Sequence, residues 1–245
     1  MRVKPLRLAM WSGPRNISTA LMRAWENRPD CVVWDEPLYG YYLDATGIAH
    51  PGADEVIAAQ GTDAEAIIAC CCGDIPGDRA IFYQKHMTLH LLPQLDRSWL
   101  AGLDNCFLIR EPEAVVASYA AVREDLTLAD IGFVQQAELY AEVCRLTGER
   151  PPVIDSSEFL RNPRAMLEAL CAHFDIEFLD QMLHWPSGPR TSDGVWAKYW
   201  YDSVWQSTGF APYRERNYEL SGREREIAQE AQPYYEDLYR YRLVP

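Results

Sequence analysis

The chain has 245 residues, of which 48% are apolar, and a formal net charge of −13 at pH 7. This length fits one α/β domain over residues 1–245, and this apolar content can bury a sizeable core. The negative charge argues against nucleic-acid and acidic-membrane partners, because neutralising phosphates needs a basic face. A few placed arginines can still hold one small anion inside an acidic protein.

The beginning of the chain, MRVKPLRLAMW, has basic residues followed by a short apolar run. We interpret it as the first strand and not as a signal peptide, because the run reaches Arg15 early and has no small-residue cleavage site. No run of about 18 apolar residues is present, so we expect no transmembrane helix. Seven cysteines, an odd number without metal-ligand spacing, predict reduced, mostly buried thiols in a cytoplasmic protein.

Short apolar runs alternate with helical patterns along the chain. The predicted strands are 6–11, 31–34, 80–84, 105–109 and 152–154. The predicted helices are 18–27, 53–72, 89–103 (broken by Pro93), 112–123, 128–147, 163–174 and 221–239, the last with a capping box of Ser221 and Glu224. The alternation indicates βαβ units and a mainly parallel sheet flanked by helices, with ligands beyond the carboxyl ends of the strands.

The first candidate binding motif is SGPRNIST, between the first strand and the first helix. Backbone N–H groups of such a turn and the helix N-terminus attract anions. Ser18 and Thr19 add hydroxyl donors, and Arg15 adds a forked cation. The stretch is not a Walker A loop, because Gly13 is its only glycine and no Lys-Ser/Thr pair follows. A phosphate site and a plain turn with an N-capping serine both remain possible on these residues alone.

The second motif is LIREPEAVVASY, residues 108–119. Arg110 ends the fourth strand, Pro112 suits the first turn of a helix, and Ser118 lies about two helical turns further on. The alternative is a surface arginine paired with Glu111 or Glu113.

Together these stretches resemble the sulfotransferases that use 3′-phosphoadenosine 5′-phosphosulfate (PAPS) and release the product PAP. The family turn P-K/R-S-G-T-T, which holds the 5′-phosphosulfate, is similar to residues 14–19, with Arg15 for the usual lysine and Ile17 for a glycine. The family signature R-x-P-x-x-x-x-x-S-x-Y, whose Arg and Ser bind the 3′-phosphate, matches Arg110, Pro112, Ser118 and Tyr119. Residues 153–178, VIDSSEFLRNPRAMLEALCAHFDIEF, resemble a third family segment.

The resemblance covers roughly residues 6–178 and implies a P-loop-type, three-layer α/β fold. The donor-binding residues that it implies are Gly13, Pro14, Arg15, Asn16, Ile17, Ser18, Thr19, Arg110 and Ser118. The sulfuryl transfer that the resemblance implies requires no metal.

Two residues are candidates for the base that takes the acceptor's proton. His86 is similar to the histidine of the family stretch K-T-H-L-P and has the more neutral ordinary pKa. Glu36 is similar to the glutamate of the stretch K-E-x-x-F-F in heparan sulfate sulfotransferases. We place His86 slightly ahead, assign Lys85 to the leaving group, and expect His90 to pack or to lie on the surface.

Residues 185–216 come where the family has a loop that closes over the nucleotide, and we predict a lid or an acceptor-side loop here. The family's R-K-G is absent, so Arg190 or Lys198 is a substitute candidate. The aromatic residues of this segment either form an acceptor pocket or pack on the core; they are Trp196, Trp200, Tyr201 and Trp205.

The sequence therefore predicts a cytoplasmic, PAPS-dependent sulfotransferase that acts on a hydroxyl or amine of a small molecule. A P-loop nucleotide phosphotransferase and a non-catalytic nucleotide-binding protein of the same fold are the alternatives. The sequence predicts neither the acceptor nor the oligomeric state.

Overall fold

A five-stranded parallel sheet forms the centre of the computed structural model, which describes residues 4–121 and 125–245. Its strands are β1 (Leu6–Ser12), β2 (Cys31–Asp35), β3 (Ile81–Met87), β4 (Asp104–Ile109) and β5 (Val153–Asp155). Their order across the sheet is β2-β3-β1-β4-β5, and Trp11 of β1 pairs with His86 of β3 and with Phe107 of β4. The first strand is therefore central, and the chain leaves its carboxyl end between β3 and β4.

Twelve α-helices lie in the described part of the chain. They are α1 (Ser18–Glu26), α2 (Tyr39–Thr46), α3 (Ala53–Gln60), α4 (Ala64–Cys72), α5 (Pro112–Ala120), α6 (Leu128–Ile131), α7 (Phe133–Thr147), α8 (Ser156–Arg161), α9 (Pro163–His173), α10 (Ala197–Trp200), α11 (Asp202–Trp205) and α12 (Gly222–Tyr239). The predicted capping box of Ser221 and Glu224 begins α12.

The two faces of the sheet bury different helices, because successive strand side chains point to opposite faces. Leu8 and Met10 of β1 pack in one cluster with apolar residues of α1 and α9. Ala9 and Trp11 of the same strand pack in a second cluster with apolar residues of α5, α7 and α12. These layers of helix, sheet and helix confirm the predicted α/β class.

Three of the predicted elements differ from the structure at glycines or prolines. The predicted helix 53–72 is two helices, α3 and α4, separated after Gln60 by Gly61 with a φ of 76°. The predicted helix 128–147 is likewise divided into α6 and α7 at Gly132, whose φ is 72°. The prediction of a helix over 89–103 is wrong, because only short 3-10 turns, Thr88–His90 and Ser98–Gly102, lie there. Left-handed backbone at glycine ends a helix, and proline removes a helical donor.

Other element boundaries differ as well. The helix predicted over 112–123 is α5, which runs to Ala120, and residues 122–124 lie outside the described part. The strand predicted to end at Gln84 continues to Met87, so Lys85 and His86 lie within β3 and not after it. Helix α2 was not predicted; its sequence, YGYYLDAT, is rich in residues of low helix propensity.

No single helix among the described residues is both long and apolar enough to cross a membrane. By length and composition alone, the two segments Ala53–Gln60 and Ala64–Asp78 taken together would be long and apolar enough for a span, but a bend of 59° separates them.

Candidate active site

The loop after β1 is shaped by contacts with its neighbours. A Cβ atom on Gly13 would lie 3.0 Å from the carbonyl oxygen of Ile131, so this close approach favours glycine. The Asn16 side chain donates to the carbonyl of Leu108 at 3.2 Å, and its oxygen accepts from the backbone N–H of Ile17 at 2.8 Å. Asn16 thus ties the loop to the carboxyl end of β4.

The N-terminus of α1 follows this loop directly. Ile17 is the N-cap residue, and its apolar side chain cannot accept a hydrogen bond from the first turn. The N–H of Leu21 is bonded to the carbonyl of Ile17, so the earlier N–H groups, those of Ser18, Thr19 and Ala20, are the ones that helix geometry leaves for a ligand. Such a terminus attracts anions.

Both motifs meet at this loop. Arg15 has a φ of 58°, and its Nε donates to the hydroxyl of Ser118 on α5 at 2.9 Å. Arg110, just after β4, donates through Nη1 to the backbone carbonyl of Arg15. The expected alternative, a pairing of Arg110 with Glu111 or Glu113, is not among the ion pairs of the described residues. Two guanidinium groups therefore lie next to the start of α1.

A buried charge cluster lies at the carboxyl ends of β2 and β3. Lys85 donates to Asp35 at 2.8 Å, to Glu36, and to the hydroxyl of Tyr201 at 2.8 Å, and it is only 1% exposed. The Tyr201 hydroxyl in turn donates to Asp35 at 2.7 Å. An ammonium group has three N–H donors, and all three of Lys85 are used within this cluster.

The charge of Lys85 is maintained by its partners. Burial alone would lower the pKa of Lys85, but the carboxylates of Asp35 and Glu36 outweigh burial and hold this pKa well above its ordinary value. Lys85 was expected to contact the leaving group. In the structure its ammonium group binds Asp35, one oxygen of Glu36 and the Tyr201 hydroxyl, and its role at the leaving group stays a prediction.

His86 lies in a different environment from its neighbour Lys85. Its ring stacks on Trp11 with centroids 4.3 Å apart, and its Nε2 contacts the side-chain oxygen of Gln84 at 3.1 Å. The residue is buried, and burial, followed by the charges of His90 and Lys85, lowers the pKa of His86 to about 3. The expectation that His86 follows the third strand is therefore wrong, since it lies within β3.

The pKa of His86 predicts a stability change with pH. Its pKa in the folded protein, about 3, lies below the ordinary value of 6.5, so below pH 6.5 the unfolded state binds more protons. Stability should fall as pH falls from 6.5 towards 3, with a loss of roughly 2 kcal/mol at pH 5 from this group. Urea unfolding at pH 7 and pH 5 measures it: His86→Phe should lose about 2 kcal/mol less than wild type between these pH values. The exposed His184, changed to Phe, is the control, and an unchanged pH dependence of His86→Phe would contradict the prediction.

His90 is a functional candidate that the sequence analysis assigned to packing or the surface. It ends the turn after β3, and its ring lies between those of Tyr39 and Tyr42, with centroid distances of 4.6 and 4.7 Å. Its Nδ1 lies 3.8 Å from Oε2 of Glu36. In the sequence, its closeness to His86 in the stretch HMTLH was the feature that could have indicated a role for His90.

The segment 185–216 is anchored over β2 and β3 by its polar groups. Asp193 binds the buried Arg23 of α1 at 2.5 Å and accepts from Trp205 Nε1 at 2.9 Å, while Tyr201 joins the charge cluster. Trp196 is buried against α2 and α3, whereas Trp200 is 43% exposed. The aromatic residues thus have different environments, and most of them pack.

The two cations considered as substitutes for R-K-G have protein partners. Lys198 pairs with Glu55 of α3 at 2.6 Å. The backbone N–H of Arg190 donates to Asp193 at 2.8 Å, and its guanidinium lies 3.5 Å from the carbonyl of Pro186. Lys198 thus joins the segment 185–216 to α3, while Arg190 has its contacts within the segment.

The family of this chain is shown by comparison with known proteins. The model of the sulfotransferase domain family matches residues 6–241, so the chain belongs to this family. Two Arabidopsis thaliana proteins, branched-chain-amino-acid aminotransferase-like proteins 1 and 2, are 35% and 33% identical to it over 211 and 204 residues, or 85% and 82% of the chain. The chain spans only 37% and 35% of their length.

Solved structures show the same fold at low identity. The sulfotransferase domain of the Synechococcus PCC 7002 olefin synthase has a TM-score of 0.56 and 18% identity, with 93% of this chain and 94% of that chain covered. The sulfotransferase from Alicyclobacillus acidocaldarius has a TM-score of 0.55 and 13% identity, with 98% of each chain covered. The sulfotransferase domain from the curacin biosynthetic pathway has a TM-score of 0.53 and 13% identity, with 95% of this chain and 99% of that chain covered.

Proposed function

We propose that the protein is a sulfotransferase that uses PAPS and a small-molecule acceptor with a hydroxyl or amine group. The observation that carries this proposal is the meeting of Arg15, Arg110 and Ser118 at the N-terminus of α1. Two guanidinium groups, a hydroxyl and unused helical N–H groups are the chemistry that holds a nucleotide with two separate phosphate groups.

The residues of this loop fit such a donor. The N–H groups of the first turn of α1 and the hydroxyls of Ser18 and Thr19 would hold the phosphosulfate end, while Arg110 and Ser118 would hold the 3′-phosphate. Arg15 contacts Ser118 and so lies between the two groups of residues. When bound, PAPS supplies an activated sulfuryl group whose bond to the 5′-phosphate breaks during transfer.

We propose that Glu36, and not His86, takes the proton of the acceptor. The side chain of Glu36 is 12% exposed and one of its oxygens is held by Lys85, which leaves Oε2 for an acceptor. His86, by contrast, is enclosed by Trp11 and Gln84. Lys85 is then a positioning residue. The segment 185–216 would keep water away from Glu36, because Tyr201 joins it to the same cluster.

Calorimetric titration with PAP, beside ATP with Mg²⁺, tests the donor. We expect PAP to bind with a Kd of about 1–10 μM, a binding free energy of about −7 to −8 kcal/mol, and ATP to bind at least about tenfold more weakly. PAPS turnover, followed as PAP release, tests catalysis. Tighter binding of ATP with phosphoryl transfer would favour the P-loop phosphotransferase, and PAP binding without any turnover would favour a non-catalytic nucleotide-binding protein.

A further inference from the structure

An unused polar atom lies beside the proposed base. His90 is 6% exposed, and its buried Nδ1 has no hydrogen-bond partner among the described residues. Oε2 of Glu36 lies 3.8 Å from this nitrogen. This distance is too long for a hydrogen bond.

Leaving a buried imidazole nitrogen without a hydrogen bond is unfavourable. Burial, followed by the charges of Lys85 and His50, lowers the pKa of His90 well below its ordinary value, so the ring is neutral at pH 7. A neutral ring gains little from the carboxylate of Glu36 at this distance. The stacking of the ring between Tyr39 and Tyr42 accounts for its place but not for its open nitrogen.

The distance between Oε2 of Glu36 and Nδ1 of His90 allows a third atom to form a hydrogen bond with each of them. An oxygen or nitrogen about 2.8 Å from each of two atoms that are 3.8 Å apart makes normal hydrogen bonds to both. Oε1 of Glu36 is held by Lys85, and the ring of His90 is held by the two tyrosines, so Oε2 and Nδ1 are both held in place.

We propose that the nucleophilic atom of the acceptor lies between Oε2 of Glu36 and Nδ1 of His90, which makes His90 a second acceptor-contacting residue. The inference rests on the proposed sulfotransferase function. Glu36 receives the acceptor's proton, and the imidazole fixes the direction of the nucleophile through a second hydrogen bond. A hydroxyl oxygen accepts this bond from Nδ1–H, whereas an amine donates a second hydrogen to an unprotonated Nδ1.

The charged groups at this site also restrict the charge that the acceptor can carry. One ammonium group, that of Lys85, faces two carboxyl groups, those of Asp35 and Glu36. A negatively charged group next to the nucleophile would meet the carboxylate of Glu36. We therefore infer an uncharged or cationic acceptor and choose tyrosol, an uncharged molecule with a phenolic and an alcoholic hydroxyl, as the probe.

The test compares His90→Phe and His90→Asn with wild type. Phenylalanine keeps the ring between the two tyrosines but lacks Nδ1, while the asparagine amide can place a polar atom near the position of Nδ1. PAP release from PAPS is measured with tyrosol and with water alone. We expect His90→Phe to lower kcat/KM by about 10- to 100-fold at unchanged PAP affinity and Tm, and His90→Asn to recover part of it. His184→Phe is the matched control.

A second measurement does not depend on turnover. The ring C–H signal of His90 in carbon-13 NMR, assigned by its loss in His90→Phe, should stay in place when PAP binds and move when tyrosol is added. Wild-type kcat/KM in His90→Phe would overturn the inference, as would an unmoved His90 signal with a sulfated probe. Failure of wild type to bind PAP or to turn over PAPS would instead overturn the proposed function, and this inference with it.

Discussion

Glu36→Gln should lower sulfuryl transfer by about 10²- to 10⁴-fold while PAP still binds with wild-type affinity. Glutamine keeps the size of the side chain and one oxygen for Lys85, but it cannot take a proton from the acceptor. The expected effect is on kcat, because the loss concerns proton transfer and not the Arg15 and Arg110 side of the site. The measurement is PAP release from PAPS at saturating donor, with PAP affinity measured by calorimetry.

Two further variants make this result specific. Glu226→Gln changes an exposed carboxylate of α12 and should leave turnover unchanged. His86→Phe distinguishes the two candidate bases, since we expect it to keep the transfer rate within about threefold and to change mainly the pH dependence of stability. A loss of transfer in His86→Phe with full activity in Glu36→Gln would reverse our assignment.

Arg110→Ala should weaken PAP binding by about 10²-fold, because it removes a charge-assisted hydrogen bond of about 1.5–3 kcal/mol and a support of the loop. Arg110 donates to the backbone carbonyl of Arg15, so its loss also releases that backbone. The same variant should lose much less affinity for adenosine 5′-monophosphate, because this nucleotide lacks the 3′-phosphate. Calorimetric titration of both nucleotides measures the difference.

The control for this variant is Arg223→Ala on the exposed face of α12, where the arginine pairs with Glu226 and Glu230. It should leave both affinities unchanged. Equal losses for PAP and adenosine 5′-monophosphate in Arg110→Ala would mean that Arg110 supports the loop without binding the 3′-phosphate. An unchanged PAP affinity would remove Arg110 from the site.

The meeting of the two motifs could be predicted because it depends on local order in the chain. Arg15 and Arg110 each follow a buried strand, and β1 and β4 are neighbours in the sheet, so their carboxyl ends lie side by side. Ser118 is two helical turns from Arg110, which a spacing of eight residues encodes directly. The contact of Arg15 with Ser118 follows from these two regularities.

The length of β3 could not be predicted in the same way, because its polar end is buried by distant partners. Lys85 and His86 are typical of a loop when the strand is considered alone. In the structure Asp35 and Tyr201 surround the lysine, and Trp11 covers the histidine. These contacts come from other parts of the sheet and from the irregular segment near the end of the chain, whose course no periodicity reveals.

The environment of His90 could not be predicted for a related reason. A 3-10 turn of three residues, Thr88–His90, places its ring between two tyrosines of α2, and neither the turn nor α2 has a clear signal in the sequence. The open nitrogen is a property of three-dimensional packing alone.

Helix α1 connects the loop after β1 with the segment 185–216. Its first turn begins at the loop after β1, and five residues later Arg23 binds Asp193 of the segment 185–216. At 1.5 Å per residue these points are about 7.5 Å apart along the axis of one rigid rod. The spacing between the loop after β1 and the segment 185–216 is therefore set by one helix, and a glycine in its middle would change the positions of both together.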